Sequence, residues 1–389
     1  MRILIVNYEF PPIGGGASYA SANLAQRLVA RGHEVDVLTS RLDGQPEQEV
    51  VNGYRVHRVT SWRKGVQNCG LGGAASFVWF AWRRMRQLVP QRRYHVVHYF
   101  FGLPTGILAL YTRQRWGLPY VLSLRGSDVP GFDPTDRVLV LLHQMLARVN
   151  RRIWRRASAV VPNSDGLAEL ARKFEPGLGY RVIPNAMLSI SELLDAPEEE
   201  GRSVRLVCVS RLIERKGIDI LLEAVARLRD LHFDLDIVGG GREQAALTAL
   251  AASLGIGDRV HFHGSVSHEL VYGFLQRADV FVLPTLSESS SMALLEALGM
   301  GLPVITTAVG GNVNTIKDGV TGLLVRPGDA ADLAAGLRRL LTDHELRLRL
   351  VDAALGRTIA LFTWEANAAR YEALYVASQA SAGQPALST

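Results

Sequence analysis

Two glutamates placed eight positions apart, Glu288 and Glu296, have the clearest potential for chemistry in this sequence. Glu288 follows a short apolar run, Val280–Leu283, that is typical of a buried parallel strand, and Glu296 lies in a helix-forming segment at residues 292–300. Amides at the start of such a helix hold an anion, whereas a carboxylate one turn further accepts hydrogen bonds from hydroxyl groups, such as those of a ribose. The pair therefore suggests a sugar nucleotide. A capping glutamate followed by a solvated one explains the spacing equally well.

A second group of candidate residues is cationic. Arg211 and Lys216 follow a predicted strand at residues 204–210 and precede a predicted helix at residues 218–228. In an open parallel sheet this position lies at the mouth of the ligand crevice. Positive charge there neutralises a diphosphate leaving group, whose negative charge grows in the transition state. A charged loop that faces only solvent is the alternative.

Two glycine-rich turns have the composition of phosphate-binding loops. Residues 14–16 are all glycine and lie between a predicted strand at residues 2–7 and a predicted helix at residues 18–31. Glycine lets backbone amides approach a phosphate closely, although a flexible turn has the same composition. The second turn, at residues 239–241, matches a dinucleotide-binding motif only in part, because Gln244 stands where the third glycine belongs.

Length and composition favour two α/β domains in a reducing compartment. A chain of 389 residues is too long for one ordinary core, and 48% hydrophobic residues with 37 glycines fit a globular protein. Cys69 and Cys208 provide neither a disulfide framework nor a metal-ligand cluster. The N-terminal apolar run is too short for a signal peptide. The apolar stretch at residues 71–82 is shorter than the roughly 20 residues that a membrane span needs.

Charge is divided unevenly between the two halves of the chain. Residues 1–185 contain 25 lysines and arginines against 12 acidic residues, whereas residues 186–389 contain 18 against 25. A basic first half favours an anionic partner: a phospholipid surface, a lipid pyrophosphate or a nucleic acid. A predicted basic helix at residues 138–156, and an arginine cluster at residues 83–93 beside aromatic residues, favour a membrane surface. Core helices with solvated arginines give the same pattern.

Residues 288–298, with the sequence E-S-S-S-M-A-L-L-E-A-L, resemble the paired-glutamate motif of family 4 glycosyltransferases, which are retaining enzymes of GT-B fold. Members more often have Gly and Phe after the first glutamate, where this chain has Ser289 and Ser290. The resemblance implies that Glu288 faces the donor sugar as a catalytic residue, and that Glu296 holds the donor ribose.

The resemblance extends over nearly the whole chain and implies further donor contacts. The loop with Arg211 and Lys216 matches the family's diphosphate-binding loop, so both residues are expected to bind the donor and to assist catalysis. The first glycine loop matches a loop that closes over donor and acceptor, and Val266 lies where the family contacts the nucleotide base through its backbone. The remaining implied donor-binding residues are Gly15, Gly16, Gly239, Gly240, Ser289, Ser290, Ser291 and Met292.

The resemblance defines the acceptor side less closely. His98 matches the first histidine of a family H-x-H strand end, although a core histidine explains it as well. The family often has His-Gly where this chain has Arg125 and Gly126, and a guanidinium there suits an acceptor phosphate. Asp128 either accepts the acceptor's proton as a catalytic group or caps a turn.

The implied fold is α/β, with two Rossmann-like domains that face each other across a cleft. Residues 1–185 form an acceptor domain, together with a returning C-terminal helix at about residues 362–389, for which Trp364 and Tyr371 are candidate anchors. Residues 186–361 form the nucleotide-sugar donor domain.

The implied reaction transfers a sugar from a nucleotide-diphosphate sugar to a hydroxyl of a glycan or lipid-linked acceptor, with retention of configuration. We expect UDP-sugars first and GDP-sugars second, a bacterial envelope product, and a cytoplasmic location, peripheral on the inner face of the cell membrane. No cofactor and no metal are expected, on the premise that the chain lacks an Asp-x-Asp triplet. The alternatives are a sugar-nucleotide epimerase of the same fold and a basic nucleic-acid-binding protein; we expect no nucleic-acid partner.

Overall fold

The chain divides into two units at residues 185 and 363. The structure, a computed structural model, describes residues 1–66, 69–134, 136–186 and 203–382. Unit 1 consists of Met1–Asn185 with Trp364–Thr389, and unit 2 consists of Ala186–Thr363. The first division coincides with the predicted boundary, and the chain returns to unit 1 two residues after the predicted position. Residues 191–202 lack the periodicity of a helix or strand in the sequence, which predicts a linker, and they lie outside the described residues.

Unit 1 is built on a seven-stranded sheet in the order β3-β4-β2-β1-β5-β6-β7. Neighbouring strands are parallel except for the β3–β4 pair, which is antiparallel. Most of the strands are short apolar runs that are buried along nearly their whole length, as expected for a sheet covered on both faces. The strands are β1 (Arg2–Val6), β2 (Glu34–Ser40), β3 (Gln48–Val51), β4 (Tyr54–Val59), β5 (Val96–Phe100), β6 (Tyr120–Leu124) and β7 (Ala159–Pro162).

Five helices lie between these strands along the chain, and a sixth follows β7. They are α1 (Gly16–Ala30), α2 (Gly70–Arg92), α3 (Ile107–Trp116), α4 (Arg137–Met145), α5 (Ala147–Arg156) and α6 (Asp165–Phe174). Helix α3 packs against both α2 and α5, and the buried sides of all three contribute to one hydrophobic core with Val97 and Tyr99 of β5. Because side chains alternate along a strand, His98 and Phe100 of β5 face the opposite side of the sheet.

Two predicted elements of unit 1 are wrong. The predicted helix at residues 138–156 is two helices that meet at Leu146. The break allows α5 to bury Ile153 and Trp154 while the apolar side chains of α4 remain largely exposed, so residues 138–156 present no continuous buried stripe. The sequence of residues 181–183 also predicts a strand, but these residues only lie alongside β7 through isolated backbone bonds, with the Arg181 amide donating to the Val160 carbonyl at 3.1 Å.

Unit 2 is built on a six-stranded, fully parallel sheet in the order β10-β9-β8-β11-β12-β13. Its strands are β8 (Val204–Val209), β9 (Phe233–Val238), β10 (Val260–Gly264), β11 (Val280–Leu283), β12 (Val304–Thr307) and β13 (Leu323–Val325). Its helices are α7 (Ile218–Ala226), α8 (Gln244–Ser253), α9 (His268–Arg277), α10 (Met292–Gly299), α11 (Asn312–Thr315), α12 (Ala330–Thr342) and α13 (His344–Leu361).

Each sheet has a point at which the order of its strands reverses. In unit 2 the chain builds outward from β8 through β9 to β10, and then returns to the other side of β8 as β11. In unit 1 the same reversal places β5 beside β1. In open α/β sheets, ligands bind outside the carboxyl ends of the strands at such a switch point. The loops after β8 and β11, and those after β1 and β5, are therefore the places to look for sites.

The last helix, α14 (Trp364–Ala382), belongs to unit 1, where it packs against α1, β5 and β6. Trp364 and Tyr371, the predicted anchors, are each 2% exposed. Glu372 of α14 accepts hydrogen bonds from the Arg31 guanidinium, at 2.7 Å from Nε, and from His33 at 2.9 Å. Buried aromatic rings and surface ion pairs thus fasten the end of the chain to its beginning. Among the described residues, no helix is long and apolar enough to cross a membrane.

Candidate active site

The centre of the candidate site in unit 2 is an ion pair between Lys216 and Glu288. Lys216 lies in the short 3₁₀ turn Glu214–Lys216 after β8, and Glu288 lies in the loop after β11. The two strands are neighbours across the switch point, so residues 72 positions apart meet at the carboxyl end of the sheet. The structure thus brings together two residues that the sequence analysis selected independently.

Backbone contacts bring the two loops close enough for this pair. Gly217, directly after Lys216, has a left-handed φ of +62°, and any Cβ there would overlap the carbonyl oxygen of Pro284 at the end of β11. The Arg215 carbonyl accepts hydrogen bonds from the Leu286 amide at 2.8 Å and from the Thr285 hydroxyl at 3.1 Å. The lysine is therefore placed by a fixed backbone and not by a mobile loop.

Lys216 is buried and the Glu288 side chain is only 10% exposed, so burial and neighbouring charges together set their pKa values. Burial lowers the pKa of Lys216, and the charge of Glu288 opposes that shift only in part. Burial alone raises the pKa of Glu288, but the charges of Lys216, Arg215 and Arg211 outweigh it and hold the pKa below its usual range. Arg211 itself is exposed at the end of β8. Three cations therefore act on the Glu288 carboxylate at this edge of the sheet, and Lys216 is in direct contact with it.

The loop after Glu288 leads directly into α10. The Ser289 amide donates to the Glu288 carboxylate at 3.2 Å, and the Ser291 hydroxyl caps the helix by accepting from the Leu294 amide at 3.2 Å. Ser291 is therefore the N-cap of α10. Glu296 lies inside α10 and is only 6% exposed, so it is not the solvated helix glutamate of the alternative interpretation. Ser290 and Met292 are half-buried at the start of the same helix.

A third loop, after β12, packs onto the backbone of Glu288. The Gly311 amide donates to the Glu288 carbonyl at 3.1 Å. Gly310 has a φ of +46°, and a Cβ there would overlap the same carbonyl oxygen. This close approach requires glycine, because any side chain would push the Glu288 loop away from β12. Gly310 was not predicted from the sequence, although two glycines shortly after a buried strand are a usable signal.

The turn after β9 lies beside the loop after β8. The Leu212 amide donates to the Gly240 carbonyl at 3.0 Å, and a Cβ on Gly239 would overlap the carbonyl oxygen of Ser210. The Gly239 amide donates to the Gly264 carbonyl at 2.8 Å, which joins this turn to the loop that contains half-buried Val266. The predicted donor-binding residues of unit 2 therefore lie on adjoining loops at one edge of one sheet.

In unit 1, Asp128 closes the turn after β6. Its carboxylate is buried and accepts three backbone hydrogen bonds, from Gly102 at 2.7 Å, Arg125 at 2.8 Å and Gly126 at 2.9 Å. Burial raises the pKa of Asp128, and these amide bonds lower it again. A carboxylate held by three amides favours the turn-capping interpretation over the catalytic one. Gly126 has a φ of +130°, consistent with the tight turn.

Arg125 lies at the carboxyl end of β6, next to that turn. Its guanidinium carbon lies 4.3 Å from the centre of the Phe100 ring. One terminal nitrogen donates to Asn185 at 2.7 Å and the other to the Tyr371 hydroxyl at 3.3 Å. A fixed, partly buried guanidinium of this kind is suited to recognising an anionic group. Neither Asn185 nor the role of Tyr371 in holding Arg125 was found from the sequence.

His98 is fully buried on β5 and hydrogen-bonded through both ring nitrogens. Nδ1 lies 2.7 Å from the Tyr375 hydroxyl and Nε2 lies 2.7 Å from the Ser123 hydroxyl, which in turn lies 2.9 Å from the Tyr371 hydroxyl. Burial, with a smaller effect from Arg125, lowers the pKa of His98 well below its usual value. This environment favours the core-histidine interpretation, with His98 connecting β5 to the returning helix α14.

The first glycine loop lies after β1, at the switch point of unit 1. Gly15 is the N-cap of α1, which begins at Gly16. Gly14 has a φ of +87°, and its amide donates to the Val66 carbonyl at 3.0 Å. The loop therefore has its predicted place between strand and helix.

The premise that the chain lacks an Asp-x-Asp triplet is wrong, because Asp234 and Asp236 form one in β9. Their carboxylates lie within a strand and pair with histidines of β10: Asp234 with His261 at 3.2 Å and Asp236 with His263 at 2.6 Å. Within the described residues, no group of three or more His, Cys, Asp or Glu side chains is arranged to hold a metal ion.

Comparison with known families and structures assigns the chain to a family. Residues 190–357 match the model of the glycosyl transferases group 1, and residues 14–186 match that of a glycosyl transferase 4-like domain. A D-inositol 3-phosphate glycosyltransferase of Acidothermus cellulolyticus is 30% identical over 92% of this chain and 85% of its own length. The chain belongs to the group 1, family-4-like glycosyltransferases.

Solved structures agree with this assignment. Sucrose-phosphate synthase from Thermosynechococcus elongatus superimposes with a TM-score of 0.84 at 25% identity, covering 98% of this chain and 100% of that one. Anabaena HepE, solved in complex with UDP-glucose, superimposes with a TM-score of 0.75 at 19% identity, covering 96% and 99%. The fold is GT-B, and the protein is a glycosyltransferase.

Proposed function

We propose that the protein transfers a sugar from a nucleotide-diphosphate sugar, bound by unit 2, to a hydroxyl group of a glycan or lipid-linked acceptor, with retention of configuration. The observation that carries this proposal is the meeting of Arg211, Lys216 and Glu288 at the switch point of unit 2, with buried Glu296 on the adjoining helix. Cations there suit the diphosphate, and carboxylates suit the hydroxyl groups of sugar and ribose.

The buried ion pair suggests how donor binding prepares the reaction. Without donor, Lys216 and Glu288 neutralise each other. A diphosphate competes with Glu288 for the ammonium group, and Glu288 then becomes available to accept from sugar hydroxyls. The bond to the sugar breaks with growth of charge on the diphosphate, so Lys216 and Arg211 stabilise the transition state more than the ground state.

The proposed mechanism needs neither a side-chain base nor a metal. The leaving diphosphate itself receives the proton of the acceptor hydroxyl, while the oxygen of that hydroxyl forms the new bond to the sugar. Asp128, whose carboxylate already accepts three amides, then serves to hold the turn that carries Arg125. Arg211 and Lys216 supply the positive charge that a metal ion supplies in other phosphate sites.

Two of the similar proteins support narrower proposals for the substrates. The complex of Anabaena HepE with UDP-glucose favours a UDP-sugar, with GDP-sugars as the second choice. The name of the Acidothermus relative refers to D-inositol 3-phosphate, a phosphate ester, and Arg125 of this chain is a fixed guanidinium suited to such a group. Because unit 1 is basic, we place the acceptor at an anionic membrane surface, in envelope polysaccharide or glycolipid synthesis on the inner face of the cell membrane.

Calorimetric titration with UDP, GDP and their sugar conjugates tests the donor site. Glu296→Ala removes a charged acceptor of buried hydroxyls and should weaken binding of one nucleotide by roughly 1.5–3 kcal/mol. Glu223→Ala, on the exposed side of α7, is the matched control and should bind like the wild type. Equal affinities in all three proteins would contradict the assignment of Glu296.

Product analysis separates transfer from its alternatives. Proton spectra of the product should show the anomeric configuration of the donor, and a chelator should leave the rate unchanged. Conversion of the donor to another free nucleotide sugar without an acceptor would favour an epimerase. Salt-sensitive binding of an oligonucleotide, with no binding of nucleotide sugars, would favour the nucleic-acid-binding alternative.

A further inference from the structure

The positive charge of unit 1 is concentrated in four consecutive helices. Helices α2, α3, α4 and α5 contain twelve arginines and no aspartate or glutamate. Between Glu49 and Asp165, the chain has 18 lysines and arginines, and its only acidic residues are Asp128, Asp133 and Asp136. Such a separation of charge produces a strong positive field over one region instead of a mixed surface.

These helices form one layer on one side of the sheet. Helix α3 packs against α2 and α5, and α4 packs against α5. Trp82 of α2 and Tyr111 of α3 are in ring contact at 6.0 Å. Phe77, Leu108 and Ile153, one from each of α2, α3 and α5, are buried in the same core. The outward sides of the four helices therefore form one continuous surface, which we call the arginine face.

Several arginines on this surface are exposed at regular spacing. On α5, Arg148, Arg152 and Arg156 recur every four residues, so they share one side of the helix, and all three are exposed. The other exposed arginines of the face are Arg83, Arg86, Arg115, Arg137 and Arg155. Arg155 also pairs with Glu175, at 3.0 Å. Most of the positive charge of the face is therefore exposed to solvent.

Large apolar side chains are exposed among these arginines. Val138, Leu141 and Met145 of α4 are 60%, 56% and 71% exposed, and their spacing places them on one side of that helix. Trp79 of α2 is 55% exposed and lies beside Trp82, with ring centres 5.3 Å apart. Exposed aliphatic and indole groups next to cations are typical of surfaces that enter the headgroup region of a bilayer.

The opposite side of the sheet lacks this pattern. There α1 and α14 balance their charges, with Glu365 accepting from Arg27 at 3.1 Å and Glu372 from Arg31. The arginine excess is thus a property of one face and not of unit 1 as a whole.

We propose that the arginine face docks on an anionic lipid bilayer, with the arginines on lipid phosphates and with Trp79, Leu141 and Met145 among the headgroups and upper acyl chains. Charge complementarity selects an anionic partner, and the exposed apolar side chains select a bilayer over a dissolved polyanion, which offers them no apolar environment. The inference rests on the proposed function in one respect: a lipid-linked acceptor lies in the membrane on which the protein would dock.

Co-sedimentation of the full-length protein with vesicles tests the proposal. Binding is expected to vesicles of equal parts phosphatidylglycerol and phosphatidylcholine, but not to pure phosphatidylcholine. The triple variant Arg148→Gln/Arg152→Gln/Arg156→Gln should lower the partition coefficient by about 100-fold, since each arginine near an anionic surface contributes about fivefold. The matched control is Arg227→Gln/Arg339→Gln/Arg349→Gln, three exposed arginines of unit 2, which should change it less than about twofold.

A second pair of variants tests the apolar part of the face. Leu141→Asp should lower vesicle binding by about tenfold or more, whereas Leu348→Asp, at a 53% exposed position of α13, should not change it. Both leucines are exposed, so neither change empties a core. Equal losses in the two arginine triples, or no binding to the mixed vesicles, would overturn the proposal. Vesicle binding that survives Leu141→Asp, with equal binding of a DNA duplex, would indicate a general polyanion surface instead.

Donor titration of the same variants keeps this proposal separate from the proposed function. None of the four changes touches Lys216, Glu288 or Glu296, so nucleotide binding should remain as in the wild type. Vesicle binding without any nucleotide binding would contradict the transferase proposal and leave the arginine face intact. Nucleotide binding without vesicle binding would contradict docking through the arginine face and leave the transferase proposal intact.

Discussion

The two units build the same kind of switch point and fill it differently. In unit 2, the loops after β8 and β11 meet through a buried pair of opposite charges, Lys216 and Glu288. In unit 1, the strands beside the switch point are joined by neutral groups, His98, Ser123 and Tyr371, with Arg125 at the edge. The ion pair in unit 2 provides charged groups that a ligand can contact. The neutral groups in unit 1 fix the position of a single guanidinium, that of Arg125.

We relate this difference to the proposed substrates of the two units. The donors of different glycosyltransferases share chemical groups, whereas their acceptors do not. Every nucleotide-diphosphate sugar presents a diphosphate and a ribose, so the same charged groups serve many enzymes. Unit 2 has Arg211, Lys216, Glu288 and Glu296 at the positions of the family motifs, although Ser289 and Ser290 replace the more common Gly and Phe. Acceptors differ from enzyme to enzyme. Unit 1 has Arg125 where the family often has histidine, and it has Phe100 at the second histidine position of the family's H-x-H strand end. We interpret these departures as features of this chain's own acceptor.

The largest expected effect comes from removing the charge in unit 2. Lys216→Ala should lower kcat by roughly 10²–10³-fold, because the ammonium group acts on charge that develops in the transition state. The variant also leaves Glu288 buried without its partner, which costs about 3–5 kcal/mol of stability. Lys216→Ala/Glu288→Gln should recover much of the stability but not the turnover. If the steady-state kinetics of Lys216→Ala were close to those of the wild type, a catalytic role of Lys216 would be contradicted.

A glycine exchange tests whether backbone packing keeps Glu288 in place. Gly310 and Gly319 both have positive φ, +46° and +68°, so alanine strains either position by roughly 1–2 kcal/mol. Only at Gly310 does the added Cβ overlap the carbonyl of Glu288, whereas Gly319 has open space around it. Gly310→Ala should therefore lower turnover by about 100-fold, and Gly319→Ala should lose only stability. Similar kinetics in the two variants would show that the packing of this loop does not matter.

The pH dependence of stability should distinguish the units, because burial lowers the pKa of four histidines of unit 1, which are His33, His57, His95 and His98. His98 is lowered well below its usual value, and His57 to about 4. In the unfolded chain these histidines bind protons near pH 6.5, whereas in the folded unit they stay neutral at that pH. The free energy of unfolding is therefore highest above pH 6.5 and decreases as the pH falls below it. His57 alone should cost about 2 kcal/mol at pH 5.

Tryptophan fluorescence measures this effect for unit 1 alone, since all six tryptophans lie in that unit. Urea midpoints between pH 7.5 and pH 5 should fall more steeply by fluorescence than by a probe of unit 2. His57→Gln should reduce the slope. A pH-independent midpoint by fluorescence would contradict the buried, neutral state of these histidines.

The smallest expected effect compares two equivalent helix caps. Ser291 caps α10 in unit 2 and Ser164 caps α6 in unit 1, each accepting from a backbone amide at 3.2 Å. Alanine at either position should cost about 1 kcal/mol of stability. Only Ser291→Ala should also weaken nucleotide binding, because α10 carries Glu296. Equal nucleotide affinities in the two variants would show that the Ser291 cap does not contribute to nucleotide binding.

The sequence identified the candidate residues of unit 2 because their signals are local. Glu288 and Glu296 lie within one strand, loop and helix, and their spacing is readable without knowing the rest of the fold. The contact between Lys216 and Glu288 was not predictable in this way. It depends on β8 and β11 being neighbours, which the order of strands decides and no local pattern reveals.

Unit 1 shows the limit of prediction from sequence more clearly. Tyr371 lies 246 residues from Arg125, and its hydroxyl was not identifiable as a partner from sequence spacing. The turn-capping role of Asp128 depends on three amides, one of them from the loop after β5. The break at Leu146 also escaped detection, because the apolar periodicity continues through it while the burial of the side chains does not. Long-range packing decided each of these cases.

The return of α14 to unit 1 has a consequence for synthesis on the ribosome. Unit 2 is contiguous, so all of its residues have been made by the time Thr363 is added. Unit 1 still lacks Tyr371 and Tyr375, the partners of Ser123 and His98, until the last helix has emerged. Domains generally fold as units during translation, so the unit that is begun first is the one that is completed last. A chain released at Thr363 would contain every residue of unit 2, but its β5 and β6 would lack the helix that covers them.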